Sequence, residues 1–224
     1  MKFDQAYFIN GTAYAGKSTL VKKLAEKYGG IACGENYHNA LLDGLDPREF
    51  PCLTYTRDLK DWRHFIRRTP DEYEAWVDGV SKECETLELQ ILTRLCSGTH
   101  QKVFVDTNIS LETLRTISDS KHVLIMLAPP EVSVSRLFDR PDREKHFLYR
   151  LLMNEENTEL ALENFRRCLS RINSPERYEA FLHSGFQVLI KDESRSAEET
   201  LALAEKAFEL RKDSQPLSFR SFHG

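Results

Sequence analysis

The chain has 224 residues, 41% hydrophobic and 29% charged, which is enough for one sizeable core of ordinary soluble composition and crowded for two. Its net charge of −4 argues against a general binder of nucleic acid or anionic membrane, which carries a basic excess. No apolar run nears the ~20 residues needed to cross a bilayer, and the five scattered cysteines contain no CxxC pair for zinc or an evident disulfide framework.

The first segment, MKFDQAYFIN, carries Asp4 and Gln5 where a secretory leader is uniformly apolar, so a cytoplasmic protein with no membrane partner is expected. A strand is predicted at Ala6–Ile9. It runs into Gly11-Thr12-Ala13-Tyr14-Ala15-Gly16-Lys17-Ser18, which meets every fixed position of GxxxxGK[ST], with Thr19 next in line. Each position has a physical use. Gly11 and Gly16 let the backbone turn tightly and bring its N–H groups against phosphate oxygens. A helix starting near Lys17 adds its positive end. Lys17 would reach the β- and γ-phosphates, and the Ser18 hydroxyl would ligate Mg²⁺.

A second strand is expected at Gly30–Cys33, followed by Gly34 and Glu35. Residues 36–100 show no strand pattern; helices over Arg57–Arg68 and Asp71–Leu95 are the clearest signals. An insertion of this length between strands usually carries function. Within it Trp62, Arg63, Arg67, Tyr73 and Trp76 have two readings, an acceptor pocket or plain helical core, the second being the commoner use of such spacing. His38 and His64 have no partner at metal-ligand spacing.

The third strand, Lys102–Val105, ends in Asp106-Thr107-Asn108. An aspartate here without a following glutamate suits metal positioning and leaves water activation unsupported. A fourth strand, His122–Leu127, leads through Pro129-Pro130-Glu131 into a helix start and then to Arg136–Arg150. That segment holds Arg136, Arg140, Arg143, Lys145 and Arg150, the cations that phosphoryl transfer needs over the transferring group. Its plainer reading is a solvated helix face paired with Asp139, Asp142 and Glu144. Ser174-Pro175-Glu176 opens a late helix, Phe186–Ile190 is the last strand, and Ser196 with Glu199 forms a capping box. Residues 1–212 read as one domain, and 213–224 as an aperiodic tail.

Strands alternating with helices predict an α/β protein with a parallel sheet. The missing NKxD segment, the missing Asp-Glu strand end and the missing LSGGQ set aside GTPases, ATP-driven machines and transporters. In GTAYAGKS, VFVDTN, HVLIMLAPPEVSVSR and the arginine segment, the chain resembles P-loop kinases of the nucleoside and nucleotide monophosphate kinase-like superfamily, over residues 6–20, 102–150 and 186–205. The resemblance implies a three-layer fold with strand order 2-3-1-4-5. It implies ATP and Mg²⁺, with Asp106 and Ser18 on the metal and residues 11–19 on the phosphates. Arg136, Arg140 and Arg143 would act as lid arginines over 136–150, and Asp192–Ser196 would lie near the adenine.

Deoxynucleoside kinases place a glutamate after the second strand to accept the proton of a sugar hydroxyl, a place matched by Glu35. The chain departs from them in carrying Asp106-Thr107 where a charged pair with arginine is expected. The DTN end resembles instead polynucleotide-kinase and zeta-toxin relatives. The expected activity is ATP- and Mg²⁺-dependent phosphoryl transfer to a small hydroxyl- or phosphate-bearing acceptor, nucleoside-like first. The alternatives are a kinase for a polynucleotide 5′-hydroxyl or other large acceptor, and a non-catalytic ATP-sensing module whose insertion docks a partner.

Overall fold

A computed structural model describes residues 2–130, 132 and 143–210. The five expected strands all form: β1 (Ala6–Gly11), β2 (Ile31–Cys33), β3 (Val103–Asp106), β4 (Val123–Leu127) and β5 (Gln187–Ile190). They make one all-parallel sheet in the order β2-β3-β1-β4-β5. Every residue of β3 and β4 is buried, which explains their unbroken apolar character.

Side-chain alternation divides the sheet between two helical layers. Phe8, Val103, Val105, Ile125 and Leu127 point to one face. There they meet Leu92 of α4 (Pro70–Gly98), Leu114 of α5 (Leu111–Ile117) and Phe181 of α8 (Pro175–Leu182). Ile9, Phe104, Leu124 and Met126 point to the other, against Leu20 and Leu24 of α1 (Lys17–Tyr28) and Ala204 of α9 (Ala197–Ala207). Each fully buried Leu, Ile or Phe contributes about 1.5–3 kcal/mol by leaving water. Helices α1 and α5, which follow β1 and β3, therefore lie on opposite faces. Their diverging paths open a crevice at the carboxyl ends of these two neighbouring strands, where ligands of open α/β sheets bind.

Between β2 and β3 the chain makes a 3-10 stretch (Tyr37–Gly44), α2 (Pro51–Asp58), α3 (Arg63–Ile66) and α4. Helix α4 starts at a capping box of Thr69 and Glu72 and runs 29 residues, about 44 Å. That length lets its second half pack on the sheet while its first half packs on α7 (Thr158–Ile172), which follows α6 (Arg143–Met153).

The expectation of one helix over Arg57–Arg68 is not met. Helix α2 stops at Asp58, Leu59 is extended, and Asp61 Oδ1 accepts the backbone N–H of Arg63 at 3.0 Å. This side-chain-to-backbone bond competes with helix continuation and restarts the chain as the short α3. Trp62, Tyr73 and Trp76 pack edge-on or tilted around Phe65 and Phe165, while Arg63 and Arg67 pair with Asp61 and Glu155 at the surface. The aromatic group is thus helical core.

The helix start at Ser174 and the capping box of Ser196 with Glu199 form as expected. Arg136 and Arg140, the 136–142 part of the lid segment, Glu131 and the 213–224 tail lie outside the described residues; Arg143 begins α6, and its side chain is also outside them. All five cysteines are free thiols. No helix among the described residues is long and apolar enough to cross a membrane.

Candidate active site

The turn from β1 into α1 is a concave backbone loop. Gly11 (φ 127°), Tyr14 (φ 63°) and Gly16 (φ 92°) all take positive φ, which turns successive N–H groups toward one side, as in anion-holding nests. Gly16 caps α1 and has no side chain to bond the first-turn amides of the helix. Tyr14 is a bulky residue in a left-handed conformation. Such strain persists where surroundings over-determine it, and it clusters at functional sites. Asn36 (φ 59°), directly after Glu35, is another such residue at this end of the sheet.

The loop is stitched to both neighbouring strands. Asn10 Nδ2 donates to Ile109 O beyond β3 at 2.7 Å, while Asn10 Oδ1 accepts the Gly11 N–H. On the other side the Ala128 N–H donates to Thr12 Oγ1 at 2.7 Å, and that hydroxyl donates to Ala128 O at 3.2 Å. Gly11 is forced by space as well as by φ: an added Cβ would stand 1.9 Å from Met126 O. Replacing Gly11 by Ala is expected to cost about 2–4 kcal/mol, read as a lower urea midpoint. Gly29→Ala, with φ 60° and open space around it, should cost about 1 kcal/mol. Equal costs would show that the close approach of the loop to β4 is not what Gly11 serves.

Lys17, Ser18 and Asp106 converge in the crevice between β1 and β3. Lys17 folds inward over the loop: Nζ donates to Thr12 O at 3.0 Å and lies 3.9 Å from Asp106 Oδ1. The Ser18 hydroxyl donates to Asp106 Oδ2 at 2.7 Å. Asp106 is buried, and burial raises its pKa, reinforced by the charges of Glu35 and Glu88 and opposed by Lys17 and the Ser18 hydroxyl. Glu35 is exposed one residue past Gly34; pairing of Cys33 with Val105 carries it to the same sheet end as Asp106. The structure thus assembles Gly11–Thr19, Asp106 and Glu35 along one edge.

Ser18 and Asp106 offer hard oxygen donors side by side. Among the described residues no group of three or more His, Cys, Asp or Glu is placed to hold a metal. A one-carboxylate, one-hydroxyl site fits Mg²⁺, which keeps several waters and takes few protein ligands.

A cavity of about 200 Å³ opens beside the second half of the loop, lined by Ala15, Gly16, Thr19, Leu189, Asp192 and Arg195 among others. Asp192 and Arg195, from the Asp192–Ser196 segment expected near an adenine, thus share one cavity with the loop. If a nucleobase occupies it, Thr200→Trp, on the same lining, should raise the KM for the triphosphate about tenfold and leave the melting temperature within a few degrees. An unchanged KM would move the base elsewhere.

Asn10 and Glu88 stand at the site without a motif that marks them in the sequence. Glu88 is fully buried on α4 and accepts from Thr107 Oγ1 at 2.6 Å and from Asn108 Nδ2 at 3.1 Å. A visible trace exists: Glu74, Asp78, Ser81, Glu85 and Glu88 recur at spacings of 4, 3, 4 and 3, so this polar stripe follows one face of α4. His38 is buried between Cys84 and Glu88, with Cys84 Sγ 3.2 Å from Nε2 and Glu88 Oε1 3.3 Å from Nδ1. No family model matches the chain, and no curated protein matches its sequence.

Proposed function

We propose that the chain is an ATP- and Mg²⁺-dependent kinase of the P-loop type acting on a small acceptor, with a hydroxyl-bearing, nucleoside-like compound the first choice. The observation that carries this reading is the meeting of Lys17, Ser18 and Asp106 at the mouth of a positive-φ loop, in the crevice between β1 and β3. In this reading the loop amides and Lys17 bind the phosphates and hold them in place. Ser18 and Asp106 would hold Mg²⁺, which supplies charge neutralisation at phosphate oxygens when bound. Glu35, exposed at the β2 end, takes the proton of the acceptor hydroxyl. Arg136, Arg140 and Arg143 remain the proposed lid cations.

Sheet order supports this division of labour. Glu35, Asp106 and the loop leave β2, β3 and β1, three consecutive strands spaced about 4.8 Å apart. Base, metal ligands and phosphate cradle would then stand in line along the edge. At the DTN end, which motivates the polynucleotide alternative, the Thr107 hydroxyl and the Asn108 amide both donate to Glu88. A screen for ADP release over nucleosides, nucleotides, sugars and short acids, with Mg²⁺ present, tests the proposal. Acceptor-dependent release with a phosphorylated product supports it. ATP binding without turnover on any acceptor favours the sensing module.

A further inference from the structure

Glu88 has 0% exposure, and a carboxylate so deeply buried costs several kcal/mol unless it is well bonded. Its bonds go to particular places. Thr107 Oγ1 donates at 2.6 Å, the Asn108 backbone N–H at 3.2 Å and Asn108 Nδ2 at 3.1 Å. His38 Nδ1 lies 3.3 Å from Glu88 Oε1, within ion-pair distance though outside hydrogen-bond alignment. Tyr37 is beside it too: its phenol pKa is raised by burial first and by the charge of Glu88 next.

These contacts flank both carboxylates of the proposed site. Thr107 and Asn108 directly follow Asp106, and Tyr37 and His38 follow Glu35 by two and three residues. We infer that Glu88 is a positioning residue, fixing Asp106 and Glu35 relative to each other from the long helix of the insertion. The inference rests on the kinase reading. It makes α4 a strut: its first half is held by Arg171 and Arg177 through Glu74, and its second half sets the two strand ends through Glu88.

A rival reading is chemical. Cys84 Sγ lies 3.2 Å from His38 Nε2, so Cys84, His38 and Glu88 follow one another like a nucleophile, base and orienting acid. Burial, then the charges of Glu88 and Glu83, push the Cys84 thiol up to about 12, and only 2% of the residue is exposed. A thiol so placed is neither ionised nor reachable near neutral pH.

The test is nucleotide-binding calorimetry with ADP, with and without Mg²⁺, on the full chain. In the wild type Mg²⁺ should tighten ADP binding. Glu88→Ala removes the acceptor for three donors and should reduce that Mg²⁺ enhancement about tenfold, with Mg²⁺-free affinity unchanged. Glu88→Gln, whose carbonyl still accepts from Thr107, should recover much of it. Glu85→Gln is the control: Glu85 lies three residues earlier and receives the Ser110 N–H and the Thr113 hydroxyl at the start of α5, so its enhancement should match the wild type. If Glu88→Ala fails to fold, Thr107→Val removes one donor to Glu88, along with the acceptor of the Ile109 N–H, and should lower the enhancement about threefold. Wild-type enhancement in a folded Glu88→Ala, or in Thr107→Val where that variant is needed, overturns the inference while leaving the kinase reading standing. Absence of ADP binding by the wild type overturns both.

Discussion

Lys17→Ala is expected to lower phosphoryl transfer about 10²- to 10³-fold, the usual loss when one preorganised donor to developing negative charge is removed. The reason lies in where the ammonium is held. Lys17 stands on the first residue of α1, yet its chain bends back so that Nζ meets Thr12 O at 3.0 Å, inside the concave side of the loop. The side chain is 16% exposed, and its ammonium also lies 3.9 Å from Asp106 Oδ1. It therefore brings a fixed positive charge into the crevice. The melting temperature should fall by no more than about 3 °C, equivalent to roughly 1 kcal/mol in a chain of this size. Lys17→Arg should not restore activity, because a planar guanidinium cannot occupy the place of a compact ammonium between Thr12 O and Asp106. Calorimetry separates the two ways of losing rate: weaker ATP binding with a normal fold supports the phosphate role. Full activity in Lys17→Ala would remove the basis for reading this loop as a phosphate cradle.

The frame of the site is legible in the sequence because it depends on local causes. A strand buried on both faces is a short apolar run whatever its partners, so Val123–Leu127 and Val103–Asp106 announce themselves. A loop that turns on positive φ needs glycine at fixed places, so Gly11 and Gly16 do too. The insertion is less legible because its boundaries depend on individual side chains. Asp61 stops a helix that the flanking spacing favours, and Pro51 starts one six residues earlier than expected. Helix α7 carries helical spacing at Leu162, Phe165, Leu169 and Ile172, but Arg166, Arg167 and Arg171 dilute the signal, and its apolar face is completed by α3, α4 and α6, the first two roughly 90 residues or more away. Glu88 is the hardest case. Taken alone, a glutamate on a charge-rich helix reads as solvated; its burial is decided by Thr107 and Asn108, whose place depends on the assembled sheet.

Asp106→Asn should separate function from stability, because the wild-type carboxylate is held where a charge is unwelcome. Burial is the largest influence on Asp106 and raises its pKa above the ordinary 3.8; the nearby Lys17 and Ser18 pull the other way without cancelling it. Between that ordinary value and the raised one, the folded chain keeps a proton that the unfolded chain has released. Stability then falls as pH rises through this window and is level above it. The substituted amide has no proton to lose, and its oxygen can still accept from the Ser18 hydroxyl. The variant should therefore melt higher than the wild type at pH 7.5, with the difference shrinking as pH is lowered toward 4. Its phosphoryl transfer should drop about 10²-fold or more, since a neutral amide is a poor ligand for a hard divalent cation. Mg²⁺ with ADP should narrow or reverse the order of stability, raising the melting temperature of the wild type more than that of the variant, which keeps only the Mg²⁺-independent binding of ADP by the loop and Lys17. A variant that melts lower than the wild type at pH 7.5 while keeping its activity would mean that Asp106 is a structural anchor for Ser18 and Lys17 and takes no part in holding a metal.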